Sequence, residues 1–377
     1  MSVAILHLIR SLDPAAGGPV EYLKQVAKAQ KAVGVDTAIL TLQPSEPAWM
    51  VNLPGSVIDC GPSRGVYGFN RDLEQRLSGI AGSFKAMVVH GLWQFHGISA
   101  ARATAKTGTP YFIFPHGMLD PWFRKEVPLK HFKKQLYWFL AERRILEGAK
   151  SVIFTSRQES ERARATFWPP ANYRPRIVPL GVPRPLAKLE QARETFFTRF
   201  PHLLGKSFLL YLGRIHPKKG CHLLIETMVR LRFPINLVMA GPSSDLTYLG
   251  KLKRTAGDSF TTFTGLIEGE LKAGALAAAT ALILPSHQEN FGLVVAEALS
   301  FGTPVLISRQ VNIAEDIESA GAGFVEPDTL EGTQRLIERW VRSGNPAMRQ
   351  AAFDCYQKHF QIESSAEKLL KVIVENA

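Results

Sequence analysis

The chain has only three cysteines in 377 residues, Cys60, Cys221 and Cys355. They are too few and too scattered for a disulfide framework or a zinc site, and they point to a reducing compartment. No run of about 18 apolar residues occurs, which excludes a membrane-spanning helix. The longest apolar stretch, Ala273 to Pro285, is Ala-rich and ends in proline, as a buried helix followed by a strand would. The opening MSVAILHLIRSLDP lacks the basic segment and small-residue cleavage site of a secretory leader and reads as a first strand. A cytoplasmic protein is expected. GxGxxG is absent, so a dinucleotide cofactor is poorly supported. Charged residues make up 21% and apolar residues 46% of the chain, which excludes disorder and a collagen-like or repeat architecture.

Acidic residues are scarce in one half only. Residues 1–180 hold 23 Lys+Arg against 13 Asp+Glu, and residues 181–377 hold 22 against 20. The +12 net charge therefore belongs mainly to the first half, and the two halves are expected to face different partners. The basic excess is densest from Lys125 to Lys150. There Leu129, Phe132, Leu136, Phe139 and Leu140 fall at helical spacing, while Lys130, Lys133, Lys134, Arg143 and Arg144 lie largely off that stripe. The plain expectation is a helix with its stripe in the core and its basic face in water. The alternative is a surface for anionic lipid headgroups or an anionic acceptor. Nucleic acid is not expected, because no nucleic-acid module is present.

Short, continuously apolar runs alternate with helical patterns. They fall at 3–9, 36–42, 86–92, 110–115, 151–156 and 176–181, then at 207–213, 235–241, 260–265, 281–286 and 304–308. This is the pattern of parallel strands buried on both faces. Two consecutive sets predict an α/β protein of two doubly wound, Rossmann-like domains, 1–182 and 183–355, with a terminal helix over 356–377. In such sheets ligands bind beyond the carboxyl ends of the strands, and a site in a cleft between two facing domains is expected.

Four segments carry candidate chemistry. In SHQENFGLVVAEAL a strand ends at Ser286, and Glu289, Asn290 and Phe291 form a turn. Gly292 permits close backbone approach, and a helix starts at about Leu293. Its N-terminus suits a phosphate. Glu289 and Glu297 place one carboxylate in the turn and one a turn into the helix, where each can accept from sugar or ribose hydroxyls. In YLGRIHPKKG, Arg214, Lys218 and Lys219 sit at a strand–helix junction and suit a diphosphate; a solvated basic loop is the plain alternative. In DPAAGGPVEYL, Gly17 and Gly18 precede Pro19 at a helix start. In FPHGMLDPW, His116 ends a strand, as His90 does in VVHGLW, with Trp93 just beyond. Gly265 and Leu266, in FTGLIEGE, offer backbone groups to a base edge.

These pieces resemble the retaining glycosyltransferases of family 4, with the GT-B fold, over almost the whole chain. The carrying motifs are GGP at 17–19, PHGMLDPW at 115–122, GRIHPKKG at 213–220, and ENFGLVVAEAL at 289–299, which holds the family's E-x7-E pair. PHGMLDPW is similar to a subgroup that builds bacterial polysaccharides and lipid-linked glycans. The resemblance implies that Arg214 and Lys219 neutralise the donor diphosphate, with Gly18 near it. It implies that Glu297 binds the ribose and that Glu289 holds the donor sugar, with Asn290, Phe291, Gly292 and Leu293 assisting. It places His116 beside the reacting sugar, with Gly17, His90 and Trp93 on the acceptor side, and the closing helix back on the first domain. A UDP-sugar is the implied donor, and the implied acceptor is a glycan or a lipid-linked one. Asp-x-Asp is absent, so metal independence and no cofactor are expected. The competing readings are a nucleotide-sugar epimerase or phosphorylase of the same fold, and a non-enzymatic nucleotide-sugar-binding protein.

Overall fold

A computed structural model describes residues 3–14, 17–43, 49, 53–61, 63–122, 124, 128–185, 188–231, 235–257 and 260–376. The chain forms two compact units. Unit 1 comprises Met1–Gly181 with Ile362–Ala377, and unit 2 comprises Val182–Gln361.

Unit 1 is built on β1 (Ala4–Ile9), β2 (Asp36–Thr41), β3 (Ser56–Asp59), β4 (Ala86–His90), β5 (Tyr111–Phe114), β6 (Val152–Phe154) and β7 (Pro175–Ile177). They lie in the order β3-β2-β1-β4-β5-β6-β7, all parallel. Unit 2 holds β8 (Phe208–Leu212), β9 (Asn236–Ala240), β10 (Thr261–Gly265), β11 (Ala281–Leu284), β12 (Val305–Ser308) and β13 (Gly323–Glu326), again parallel, in the order β10-β9-β8-β11-β12-β13. The central strands β4, β5, β8, β11 and β12 are buried along their whole length, because helices cover both faces of a parallel sheet.

Two edge strands were not expected from the apolar runs. β3 is exposed at both ends, and β13 alternates buried and half-buried positions. An edge strand is only partly covered, so its sequence carries no continuous apolar run. The stretch 176–181 contributes only as far as Ile177. The C-terminal region is two helices. Ala347–His359 stays in unit 2 and Ile362–Asn376 belongs to unit 1, so the second changeover lies at Gln361/Ile362. The last helix packs on the helix Gly18–Ala32, where the Tyr22 and Ser365 hydroxyls are 3.1 Å apart.

The helix Pro128–Tyr137 corrects the plain expectation. His131 stacks on Phe167, Lys134 Nζ lies 4.7 Å from the Trp93 ring centroid, and Trp138, opening a π-helical turn to Glu142, is buried. The apolar stripe faces the other way, with Leu129 and Phe132 72% and 70% exposed and Leu136, Phe139 and Leu140 more than half exposed. His131, Lys134 and Tyr137 meet the protein, while the apolar stripe is exposed together with Lys130 and Lys133. Residues 125–127 of the basic stretch lie outside the described residues.

Candidate functional site

In a doubly wound sheet the loops that follow the two strands at the reversal of strand order diverge and leave a crevice. In unit 2 those strands are β8 and β11. The loop after β8 carries Arg214, Lys218 and Lys219, and the loop after β11 carries Glu289 to Gly292.

The two loops are joined. The His287 N–H donates to the Lys218 carbonyl at 2.9 Å, and the Lys219 ammonium is ion-paired with the Glu289 carboxylate. Gly220 allows the approach: its φ is +68°, and a Cβ there would lie 2.2 Å from the Pro285 carbonyl oxygen. Arg214 is exposed, and its carbonyl accepts from the Tyr211 hydroxyl at 2.7 Å.

Residue 289 is fixed by its backbone as well. Its N–H donates to Gln310 and its carbonyl accepts from Asn312, both at 3.1 Å. The Asn312 amide reaches Asn290 Oδ1 at 3.4 Å. Phe291 is buried edge-on against Phe360. Gly292, with φ +80°, caps the helix Leu293–Ser300. The first N–H groups of such a helix lack intrahelical acceptors and face the loop with partial positive charge. Glu297 lies one turn into this helix, its carboxylate 2.8 Å from Lys272 Nζ. Gly265 ends β10 with φ +71°, and Leu266 beside it is exposed.

In unit 1 the reversal lies between β1 and β4. Gly17, φ +81°, caps the helix that Gly18 begins. His90 ends β4, and His116 follows β5 with φ +50°, a left-handed conformation uncommon outside glycine. The buried Glu159 holds that turn, accepting from the Gly117 N–H and the Thr155 N–H at 2.7 Å each. His90 Nδ1 and His116 Nε2 are 2.8 Å apart, so these two expected residues meet. Trp93, φ +66°, turns into an aromatic cluster with Tyr137, Trp138 and Phe167. Its backbone N–H donates to the Glu142 carboxyl at 3.1 Å. Burial pushes Glu142 up to about 8 and, with Lys130 nearby, brings Lys134 down to about 8.

Five polar participants lie outside the sequence expectations: His7 and Gln30 behind His90, Glu159 behind the His116 turn, Glu142 behind Trp93, and Lys272 on Glu297. A histidine inside the apolar run VAILHLI was the one available signal. No group of three or more His, Cys, Asp or Glu positioned to hold a metal ion occurs among the described residues.

Two family models match the chain, "Glycosyl transferase 4-like domain" over residues 17–181 and "Glycosyl transferases group 1" over residues 192–353. D-rhamnosyltransferase WbpZ of Pseudomonas aeruginosa is 24% identical over 349 residues, covering 89% of this chain and 86% of that protein. Sucrose-phosphate synthase from Thermosynechococcus elongatus has the same fold, with TM-score 0.77, 21% identity and coverage of 99% and 98%. Anabaena HepE, solved with UDP and glucose, aligns with TM-score 0.76 and 16% identity over 99% of this chain and all of that one.

Proposed function

The chain belongs to the GT4-type glycosyltransferases of the GT-B fold, and from that premise we propose that it moves a sugar from a nucleoside-diphosphate sugar to a glycan or lipid-linked acceptor with retention of configuration. The observation that carries the reading is the union of the two loops at the strand reversal of unit 2, through Lys219–Glu289 and His287–Lys218.

Cleavage of the donor bond leaves negative charge on the β-phosphate of the departing diphosphate. Arg214, Lys219 and the N-terminus of the helix Leu293–Ser300 stabilise it where it develops. On binding, the diphosphate takes over Lys219 from Glu289, which frees that carboxylate for the hydroxyls of the sugar. Glu297 takes the ribose, and Gly265 and Leu266 offer backbone groups to the base. The sugar becomes oxocarbenium-like, and the acceptor attacks the face the leaving group has vacated, its proton passing to a phosphate oxygen. Gly17, His90 and His116 serve the acceptor side. Side-chain cations balance the phosphate charge in this reading, and no metal ion or cofactor is invoked. UDP is the favoured nucleotide, supported by the UDP complex of HepE. The name of WbpZ adds deoxyhexoses to the sugars to be tried.

The test is a thermal-shift screen over nucleotide sugars, followed by acceptor trials. Free UDP must appear only when acceptor is present. Release without acceptor, or sugar isomerisation, would replace transfer by one of the competing activities.

A lipid-linked acceptor fits the uncovered stripe of Pro128–Tyr137. We propose that this face rests on an anionic membrane, Leu129, Phe132, Leu136, Phe139 and Leu140 entering the acyl boundary while Lys130, Lys133 and Arg144 meet the headgroups. No described helix is long and apolar enough to cross a membrane.

A further inference from the structure

Three imidazoles and one amide form an unbroken file of hydrogen bonds in unit 1. His116 Nε2 lies 2.8 Å from His90 Nδ1, and His90 Nε2 lies 2.9 Å from His7 Nδ1. His7 Nε2 lies 3.3 Å from Gln30 Oε1, which also accepts from the Thr37 hydroxyl at 3.2 Å. The three histidines come from β1, from the end of β4 and from the turn after β5, which are neighbours in the sheet. Gln30 comes from the helix Gly18–Ala32. His7 and Gln30 are fully buried, His90 nearly so, and His116 is half-buried at the outer end. The rings stack: His7 and His90 are inclined by 29°, His90 and His116 by 16°, and His116 lies 4.4 Å over Phe114 at 3°.

A neutral imidazole has one N–H and one lone pair. His7 and His90 spend both ring nitrogens inside the file, so one donor direction must run through it. A carbonyl oxygen can only accept. With the Gln30 amide oriented as it is here, Oε1 toward His7 and Nε2 buried without a partner among the described residues, His7 Nε2 is the donor and His7 Nδ1 the acceptor. His90 must then donate from Nε2 and accept at Nδ1, and His116 must donate from Nε2. The Nδ1 of His116 is left as a bare lone pair.

The surroundings favour neutral rings. Tyr22 faces His116 and Phe114 edge-on, and His96 Nε2 bonds the His90 carbonyl at 3.0 Å. Among the described residues, the groups acting on these rings are one another, His96 and Gln30, with no carboxylate, lysine or arginine among them. Burial lowers His7 and His96 to about 4 and His116 to about 3, and lowers His90 as well.

We propose that His7, His90 and Gln30 are positioning residues that fix the tautomer of His116, so that its Nδ1 is the atom that accepts a hydrogen bond from a substrate hydroxyl. This rests on the reading of His116 as a neighbour of the reacting sugar. A histidine's outer nitrogen takes its role from the bond the other nitrogen makes, and here that bond is inherited through two further rings.

The test reads the tautomer of His116 by 15N NMR in the full chain, assigned with His116→Gln, between about pH 6 and about pH 8, where a histidine ordinarily titrates. The expected result is a proton on Nε2 and none on Nδ1 throughout. Gln30→Glu keeps an acceptor at the inner end. It should keep the tautomer and move the acid limb of the pH–rate profile upward, because a buried carboxylate favours protonated rings. Gln30→Met removes the acceptor. It should mix the tautomers and lower kcat by ~10- to 100-fold with KM for the acceptor unchanged, as loss of an outer orienting partner does. A proton on Nδ1 of the wild-type ring would mean that the Gln30 amide is reversed, and would overturn the proposal. So would Gln30→Met with mixed tautomers and undiminished kcat. If Gln30→Met does not fold, the wild-type tautomer and the Gln30→Glu profile decide. A chain with the stated tautomer and no sugar transfer would uphold the file and overturn the reading of function, so the two failures are distinguishable.

Discussion

Lys219 and Glu289 stand 70 positions apart in sequence, and their side chains form an ion pair that ties the loop after β8 to the loop after β11. Both side chains are largely covered. In the proposed reading a bound diphosphate separates this pair, drawing off Lys219 and releasing Glu289.

Removal of either partner is therefore expected to harm turnover. Lys219→Ala and Glu289→Ala should each lower kcat/KM by at least about tenfold, the minimum for a group that meets developing charge. Lys219→Ala should also shrink the thermal shift given by UDP. Undiminished activity in both variants would remove these residues from the site.

Gly220 gives a stability prediction. Its left-handed φ and the nearby Pro285 carbonyl leave no room for a side chain. Gly220→Ala should destabilise unit 2 by about 2 kcal/mol or more, since strain and overlap act together. Gly79→Ala, inside the helix Leu73–Ala81 with open space around its Cβ position, should be neutral or stabilising by about 0.5 kcal/mol. Denaturant midpoints of the two variants make the comparison.

Glu142 gives a pH prediction. Its carboxyl keeps its proton up to about 8 in the folded chain, against an ordinary value of 4.5. Between those values the folded state holds more protons than the unfolded state, so this group's contribution to stability is lost as pH rises. The lowered histidines act in the opposite sense below 6.5, and Lys134 does so above about 8. Glu142→Gln isolates the carboxyl. The Tm of the variant minus that of the wild type should rise steadily across the window from 4.5 to about 8, and a flat difference would show that Glu142 is ionised where it lies.

The exposed stripe gives a prediction on membranes. The full chain should sediment with vesicles containing anionic lipid and be released by salt. Phe132→Ser with Phe139→Ser should abolish sedimentation without lowering Tm, because both rings are already exposed. Equal binding to neutral vesicles, or no effect of the double substitution, would remove this face from the account.

The sequence made the centre of each sheet plain and left its margins obscure. β8 and β11 are covered on both sides and spell continuous apolar runs, whereas β3 and β13 lie at edges and do not. The pattern of Leu129 to Leu140 established an amphipathic helix. Periodicity separates the two faces and does not say which one the protein covers, and here the protein leaves the apolar one exposed. Glu289 and Glu297 were legible because their relation is local, a turn and the helix that follows it. The Lys272 partner of Glu297 and the file behind His116 were not, because they depend on which elements become neighbours. His7 meets His90 only because β1 and β4 are adjacent at the strand reversal.

The most direct measurement is a crystal structure of the chain with UDP bound. The account predicts the β-phosphate within hydrogen-bonding distance of Lys219 and of the N-terminus of the helix Leu293–Ser300, with the Glu289 carboxylate released from the lysine and Glu297 on the ribose. A diphosphate bound away from these groups, with Lys219 still closed on Glu289, would contradict it.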